Sequence, residues 1–166
     1  MTNAIPIRIA DAVTAEINGQ SFSIGEFTAY RSYADWDDKF EDLTTMAVDV
    51  VYVTRDTEIG LDSRGFIGYV CSVDIAVRKV FGPTDREGNE SNRAGRLKNT
   101  SVDPLVTLLE QIHEYFVGER ANVVLDDETE ANWLESDVKS WVNQRKLRDG
   151  LFEGVVRIKF SLRKAI

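Results

Sequence analysis

The longest regular pattern in the chain is an alternation of apolar and polar residues from Gly68 to Phe81. A period of two predicts a β-strand with one buried face. At about 3.3 Å per residue, such a strand exceeds the usual five or six residues, so we expect part of it to project from the compact body and to need a partner. The expected buried face consists of Tyr69, Cys71, Val73, Ile75, Val77 and Phe81.

Two other segments have the spacing of amphipathic helices. In the first, Ile9, Val13 and Ile17 recur every four residues. The second is predicted to begin at Asp103 and Pro104, which suit an N-cap and the first helical position. Its apolar stripe consists of Leu105, Leu108, Leu109, Ile112 and Phe116.

Strands are also predicted in three further segments, at residues 27–34, 46–54 and 152–166, and the last of these has a basic outer face. A loop or a flared hairpin is predicted at residues 55–67. The pattern of residues 128–148 fits a helix in places and a strand in others, so the type of this segment stays open. The order of elements predicts one α+β domain over residues 1–166, in which helices pack on one face of a mainly antiparallel sheet with a long projecting strand.

Charge is distributed unevenly along the chain. Residues 1–62 hold 12 acidic and 4 basic side chains, a net charge of -8, and the remainder balances. Residues 82–100 are polar and contain three glycines, which predicts a mobile loop with several basic groups. We expect this loop to contact the acidic run of a neighbouring subunit. The candidate assembly interface consists of Asp35, Trp36, Asp37, Asp38, Arg86, Arg93, Arg96 and Lys98.

The sequence offers little material for catalysis. Cys71 and His113 are the only cysteine and histidine, and no nucleophile elbow, phosphate loop or dinucleotide fingerprint occurs. An EF-hand beginning at Asp35 would need glycine and an acidic residue where Phe40 and Met46 stand. We therefore expect no catalytic residue, no metal and no cofactor. A net charge of -8 also argues against binding of free DNA through its phosphates.

The ordered segments resemble those of the tail terminator proteins of tailed bacteriophages, also called tail completion proteins. The resemblance covers nearly the whole chain, except the loop at 82–100 and the acidic stretch near Asp126. Its counterparts here are IADAVTAEI (9–17), AYRSY (29–33), EDLTTMAVDVVYV (41–53), YVCSVDIAVRK (69–79), DPLVTLLEQI (103–112) and FEGVVRIKF (152–160).

The resemblance implies a structural virion protein that forms a ring, typically of six subunits. Such a ring caps the tail tube, stops its polymerisation and connects the tail to the neck, with DNA only as passing cargo. The implied partners are the tube protein and a neck or head-completion protein. The implied location is the tail–neck junction, after assembly in the host cytoplasm and without a membrane. The alternatives are a head–tail joining protein, a tail tube subunit or, remotely, a small carboxylate-dependent metalloenzyme.

Overall fold

The computed structural model of the chain describes residues 2–33, 45–88, 95–119 and 121–166. Within these residues the sheet has six strands, in the order β1 (Ala29–Arg31), β2 (Ala47–Ser63), β3 (Phe66–Val80), β6 (Leu151–Ala165), β5 (Glu130–Ser140) and β4 (Val123–Val124). Among these strands β1 and β2 pair in parallel, and the other neighbours are antiparallel. The predicted α+β class with a mainly antiparallel sheet is confirmed. In chain order the elements are α1 (Ile5–Asn18), β1, β2, β3, α2 (Asn99–Glu119), β4, β5, α3 (Gln144–Arg148) and β6.

One hydrophobic core lies between the sheet and the helices α1 and α2. The stripe of α1 through Ile9, Val13 and Ile17 is fully buried, as predicted. The apolar stripe of α2, which also has the predicted composition, packs against the middle of β6 and β5. From the sheet, the core receives Val48, Val50, Cys71, Val73, Ile75, Val77, Phe152, Val156, Ile158, Phe160 and Leu162.

The central strand β3 departs from the prediction of a single buried face. Between Cys71 and Arg78 both of its faces are buried. The second face is polar, and its charged side chains pair with charged side chains on the neighbouring strands. Asp74 accepts a hydrogen bond from Arg157 Nε at 2.8 Å, and Arg78 Nη2 donates one to Asp49 at 2.5 Å. These charge-assisted pairs allow a polar face to be buried, because each carboxylate keeps a hydrogen-bond donor.

The β2–β3 hairpin is longer than the sequence indicated. Strand β2 continues to Ser63, so most of segment 55–67, predicted as a loop or a flared hairpin, is paired strand of a hairpin, and Gly65 turns the chain with a φ of 91°. Residues 54–57 form a bulge opposite the single residue Cys71. This bulge interrupts the alternation, which explains why the strand seemed to end at Thr54.

Two other element boundaries differ from the prediction. Helix α2 begins at Asn99, four residues before Asp103, and Pro104 lies inside its second turn. The early start is possible because the N–H groups of Ser101 and Val102 both donate to the Lys98 carbonyl. Strand β1 is limited to Ala29–Arg31 within the predicted segment 27–34, whose last residue lies outside the described residues.

The segment whose type stayed open, residues 128–148, contains both kinds of element. Strand β5 occupies Glu130–Ser140 and the short helix α3 occupies Gln144–Arg148. The pairing of β5 with β6 shifts register twice, after Trp133 and after Val138. Each shift moves the apolar residues off a strict period of two, so the sequence carried a mixed signal.

Candidate assembly interface

Three of the predicted interface residues are described, and they lie together where the chain enters α2. In the described residues of the predicted loop 82–100, Arg86 forms a β-bridge with Leu97, which stands between Arg96 and Lys98. The other predicted members, Asp35, Trp36, Asp37, Asp38 and Arg93, lie outside the described residues.

Asp85 ties this loop to the start of the helix. Its carboxylate accepts hydrogen bonds from the Gly82 N–H and from the Ser101 hydroxyl, each at 2.9 Å. Its carbonyl accepts the Lys98 N–H at 2.8 Å. Polar bonds of this kind give the described part of segment 82–100 a defined shape despite its small number of apolar residues.

A groove opens between this loop, the first turns of α2 and the helix α3. Its volume is about 410 Å³. We call it the basic groove, because its described lining includes three arginines and one acidic residue, Asp103. The basic groove is lined by Arg86, Arg96 and Arg148 beside the apolar side chains of Leu97, Val102 and Leu147.

The basic side chains around the groove differ in how they are bound. Arg86 Nη1 donates to the Gly95 carbonyl at 2.9 Å, and Lys98 Nζ donates to the Thr84 carbonyl at 2.8 Å. Arg96 and Arg148 are exposed, and neither has an ion-pair partner among the described residues. Sequence reasoning missed Arg148, because it could not place α3; the basic run Gln144–Arg148 was the only available signal.

The second candidate surface is the outer part of the β2–β3 hairpin, residues 58–70, which we call the arm. Burial of β3 decreases from Cys71 outward to Phe66. On the arm, Ile59 is 62% exposed, Leu61 is 75% exposed and Phe66 is 42% exposed. Large apolar side chains are thus presented to solvent on a paired and ordered strand.

The opposite face of the arm forms a groove of about 660 Å³. Gly60 and Gly68, which pair with each other across the hairpin, form the floor of this groove. Arg163 of β6 lies at the side of this groove, where it pairs with Asp62 and stacks over the Phe66 ring at 5.4 Å from its centroid. The arm therefore has an apolar face and a glycine-floored face.

The residues with catalytic potential are separated from these surfaces. His113 Nδ1 lies 2.8 Å from Ser136 Oγ, a contact that joins α2 to β5, and neither residue lines the basic groove or the glycine-floored groove. Burial raises the pKa of the Cys71 thiol to about 11. Within the described residues, no three His, Cys, Asp or Glu side chains converge as ligands of a metal would.

No family model and no curated protein matches the chain. Among the described helices, none combines the length and the apolar character needed to cross a membrane.

Proposed function

We propose that the protein is a structural virion component, a tail terminator that forms a ring on the end of a phage tail tube. The ring, of six subunits by resemblance, would stop polymerisation of the tube and connect the tail to the neck. It would be assembled in the host cytoplasm and remain at the tail–neck junction, and it would carry out no catalysis.

The exposed apolar arm carries this proposal. Ile59 and Leu61 are more than half exposed on β2, whose inner part buries Val48 and Val50 in the core. Contiguous exposed apolar surface on an ordered element is typical of a contact with another protein. The arm therefore supports an assembly function, and the resemblance across the chain supplies the kind of assembly.

The basic groove cannot contact a second basic groove, because like charges repel, and this supports a head-to-tail ring over a symmetric dimer formed through the groove. The arm is apolar on one face, and the basic groove is lined by arginines on a different part of the molecule. Contacts between unlike surfaces are head-to-tail, and they close into rings when the rotation between subunits permits. A tail terminator requires this symmetry, and DNA would then pass through the ring as cargo.

Light scattering over a concentration series, followed by negative-stain microscopy, tests the proposal on the full chain. We expect a single closed ring that shortens tubes when it is added to polymerising tube protein of the same virus. Open-ended filaments would instead identify a tube subunit. Rings that leave tube length unchanged would favour a head–tail joining protein, and a monomer under all conditions would contradict any ring function.

A further inference from the structure

We propose that the basic groove of one subunit binds the acidic segment 35–43 of a neighbouring copy of the same chain. This inference rests on the proposed ring and specifies one of its contacts. It adds the α3 residues Leu147 and Arg148 to the interface that the sequence predicted. Its occupant is identified from charge and from the apolar residues that the segment contains.

The basic groove has an excess of positive charge among its described lining residues. Three guanidinium groups line it there, against one carboxylate, that of Asp103. Arg96 and Arg148 are exposed and have no ion-pair partner among the described residues. Arginine binds carboxylates through paired N–H groups and also stacks on aromatic rings. The groove is therefore suited to an acidic segment that carries an aromatic residue.

The acidic N-terminal third of the chain contains such a segment. Three of its six described acidic side chains already pair with arginines: Asp11 with Arg31, Asp49 with Arg78, and Asp62 with Arg163. Segment 35–43, DWDDKFEDL, holds five acidic residues and one lysine. It lies outside the described residues, and its sequence alone supplies the match.

The segment and the groove both place an apolar side chain next to charged ones, with opposite charges in the two. Trp36 stands between Asp35 and Asp37 in the sequence. In the groove, apolar Leu97 and Leu147 stand beside Arg96 and Arg148. An indole on the apolar lining would bring its two neighbouring carboxylates toward the arginines, where cation–π attraction adds to charge pairing. Its volume of about 410 Å³ lies within the range of about 300–1,000 Å³ that is usual for binding pockets.

A mixing experiment on the full chain tests the contact. The groove variant carries Arg96→Glu and Arg148→Glu, and the segment variant carries Asp37→Lys and Asp38→Lys. Each variant alone should lose the wild-type rings. Mixed in equal amounts, they should form hetero-oligomers, because the intact groove of one variant meets the intact segment of the other, and the reversed charges of the second contact also attract each other. A mixture that contains no hetero-oligomer would overturn the proposal.

A peptide with the sequence of residues 34–44 provides an independent measure of affinity by fluorescence anisotropy. The groove variant should bind it at least about tenfold more weakly than the wild type, and added salt should weaken binding further. The control variant Arg64→Glu, which places a single Arg-to-Glu charge reversal on the arm, should retain affinity, and each of the single variants Arg96→Glu and Arg148→Glu, which carry the same charge change in the groove, should weaken binding. No binding to the wild type, or equal binding to all of these proteins, would contradict the proposal.

The outcomes separate this contact from the proposed function. Rings that persist unchanged in both charge variants would overturn the groove contact and leave the ring in place. A wild-type chain that stays monomeric, alone and with tube protein, would overturn both. Matching thermal midpoints of the wild type and the groove variant would show that the loss of rings is not a loss of folding.

Discussion

Leu109 of α2 lies over the backbone of Gly154 in β6, in the space where a side chain at position 154 would stand. A Cβ atom built on Gly154 would lie 2.2 Å from Leu109 Cδ1 and 3.0 Å from the Trp141 carbonyl oxygen. The glycine thus lets the helix approach the sheet closely. We expect Gly154→Ala to lower the free energy of unfolding by about 1–3 kcal/mol, the usual cost of overpacking a core, as measured by urea denaturation.

Gly118, near the end of α2, provides the control for this prediction. A Cβ at Gly118 meets no atom within 4 Å, so Gly118→Ala should leave stability unchanged or raise it by up to about 1 kcal/mol. The double variant Leu109→Ala with Gly154→Ala should lose less stability than the sum of the two single changes. Wild-type stability in Gly154→Ala would mean that α2 does not approach β6 this closely.

Arg8 joins α1 to the turn between β4 and β5. Its side chain is 4% exposed and reaches Asp126 and Asp127, each at 2.5 Å. The hydrogen bond from Arg8 holds the pKa of Asp127 well below its usual range. A lowered pKa stabilises the fold above the unfolded-state value of about 3.9, and this contribution is lost as the pH falls toward the folded-state pKa.

We therefore expect the thermal midpoint to be steady from about pH 7 to pH 5 and to fall below about pH 4. In the Asp127→Asn variant, the thermal midpoint should fall less steeply below about pH 4, because the carboxyl group that titrates is removed. Asp137→Asn is the matched control, because it removes a carboxylate that is 61% exposed, in a surface pair with Lys139, and leaves the Arg8 contact intact. Identical profiles for wild type and Asp127→Asn would exclude this pair as a source of acid sensitivity.

The fold could be predicted from the sequence wherever one face of an element is buried. The helical spacing of apolar residues in α1 and their alternation in β6 both predicted which side chains are buried in the core. The prediction was wrong for the outer face of β3, because burial of Asp74 and Arg78 depends on partners on other strands, Arg157 and Asp49. Tertiary pairing of this kind leaves no mark on the hydrophobic pattern.

The candidate site was predicted less completely. Arg86, Arg96 and Lys98 were expected to act together, and the structure places them at one loop. Arg148 and Leu147 join this loop only because β5 ends at Ser140 and α3 brings the chain back. The double register shift in β5 concealed that path, so no spacing in the sequence connected Arg148 with Arg96.

Cys71 should behave as an inert core residue. It is fully buried, and burial raises the pKa of its thiol to about 11, so almost no thiolate is present at pH 8. We expect reaction with an aqueous disulfide reagent to be slow in the native protein and fast in denaturant, as followed by absorbance. Equal rates in both conditions would show that the centre of β3 opens readily to solvent.

The final prediction concerns Leu61, the most exposed apolar residue of the arm. Since 75% of its surface is exposed, Leu61→Asp removes no core contact and should leave the thermal midpoint within about 1 °C of wild type. If the arm contacts a neighbouring subunit, the new carboxylate must be desolvated in that contact, and association should weaken by at least about tenfold. Sedimentation equilibrium measures this change directly.

Val117→Asp is the matched control for Leu61→Asp. Val117 is 40% exposed on α2, away from the arm, and the substitution adds the same charge to an exposed apolar position. It should leave association unchanged. Equal weakening in both variants would attribute the effect to added negative charge on an acidic protein, whereas loss of association in Leu61→Asp alone would assign the contact to the arm, because only that site differs.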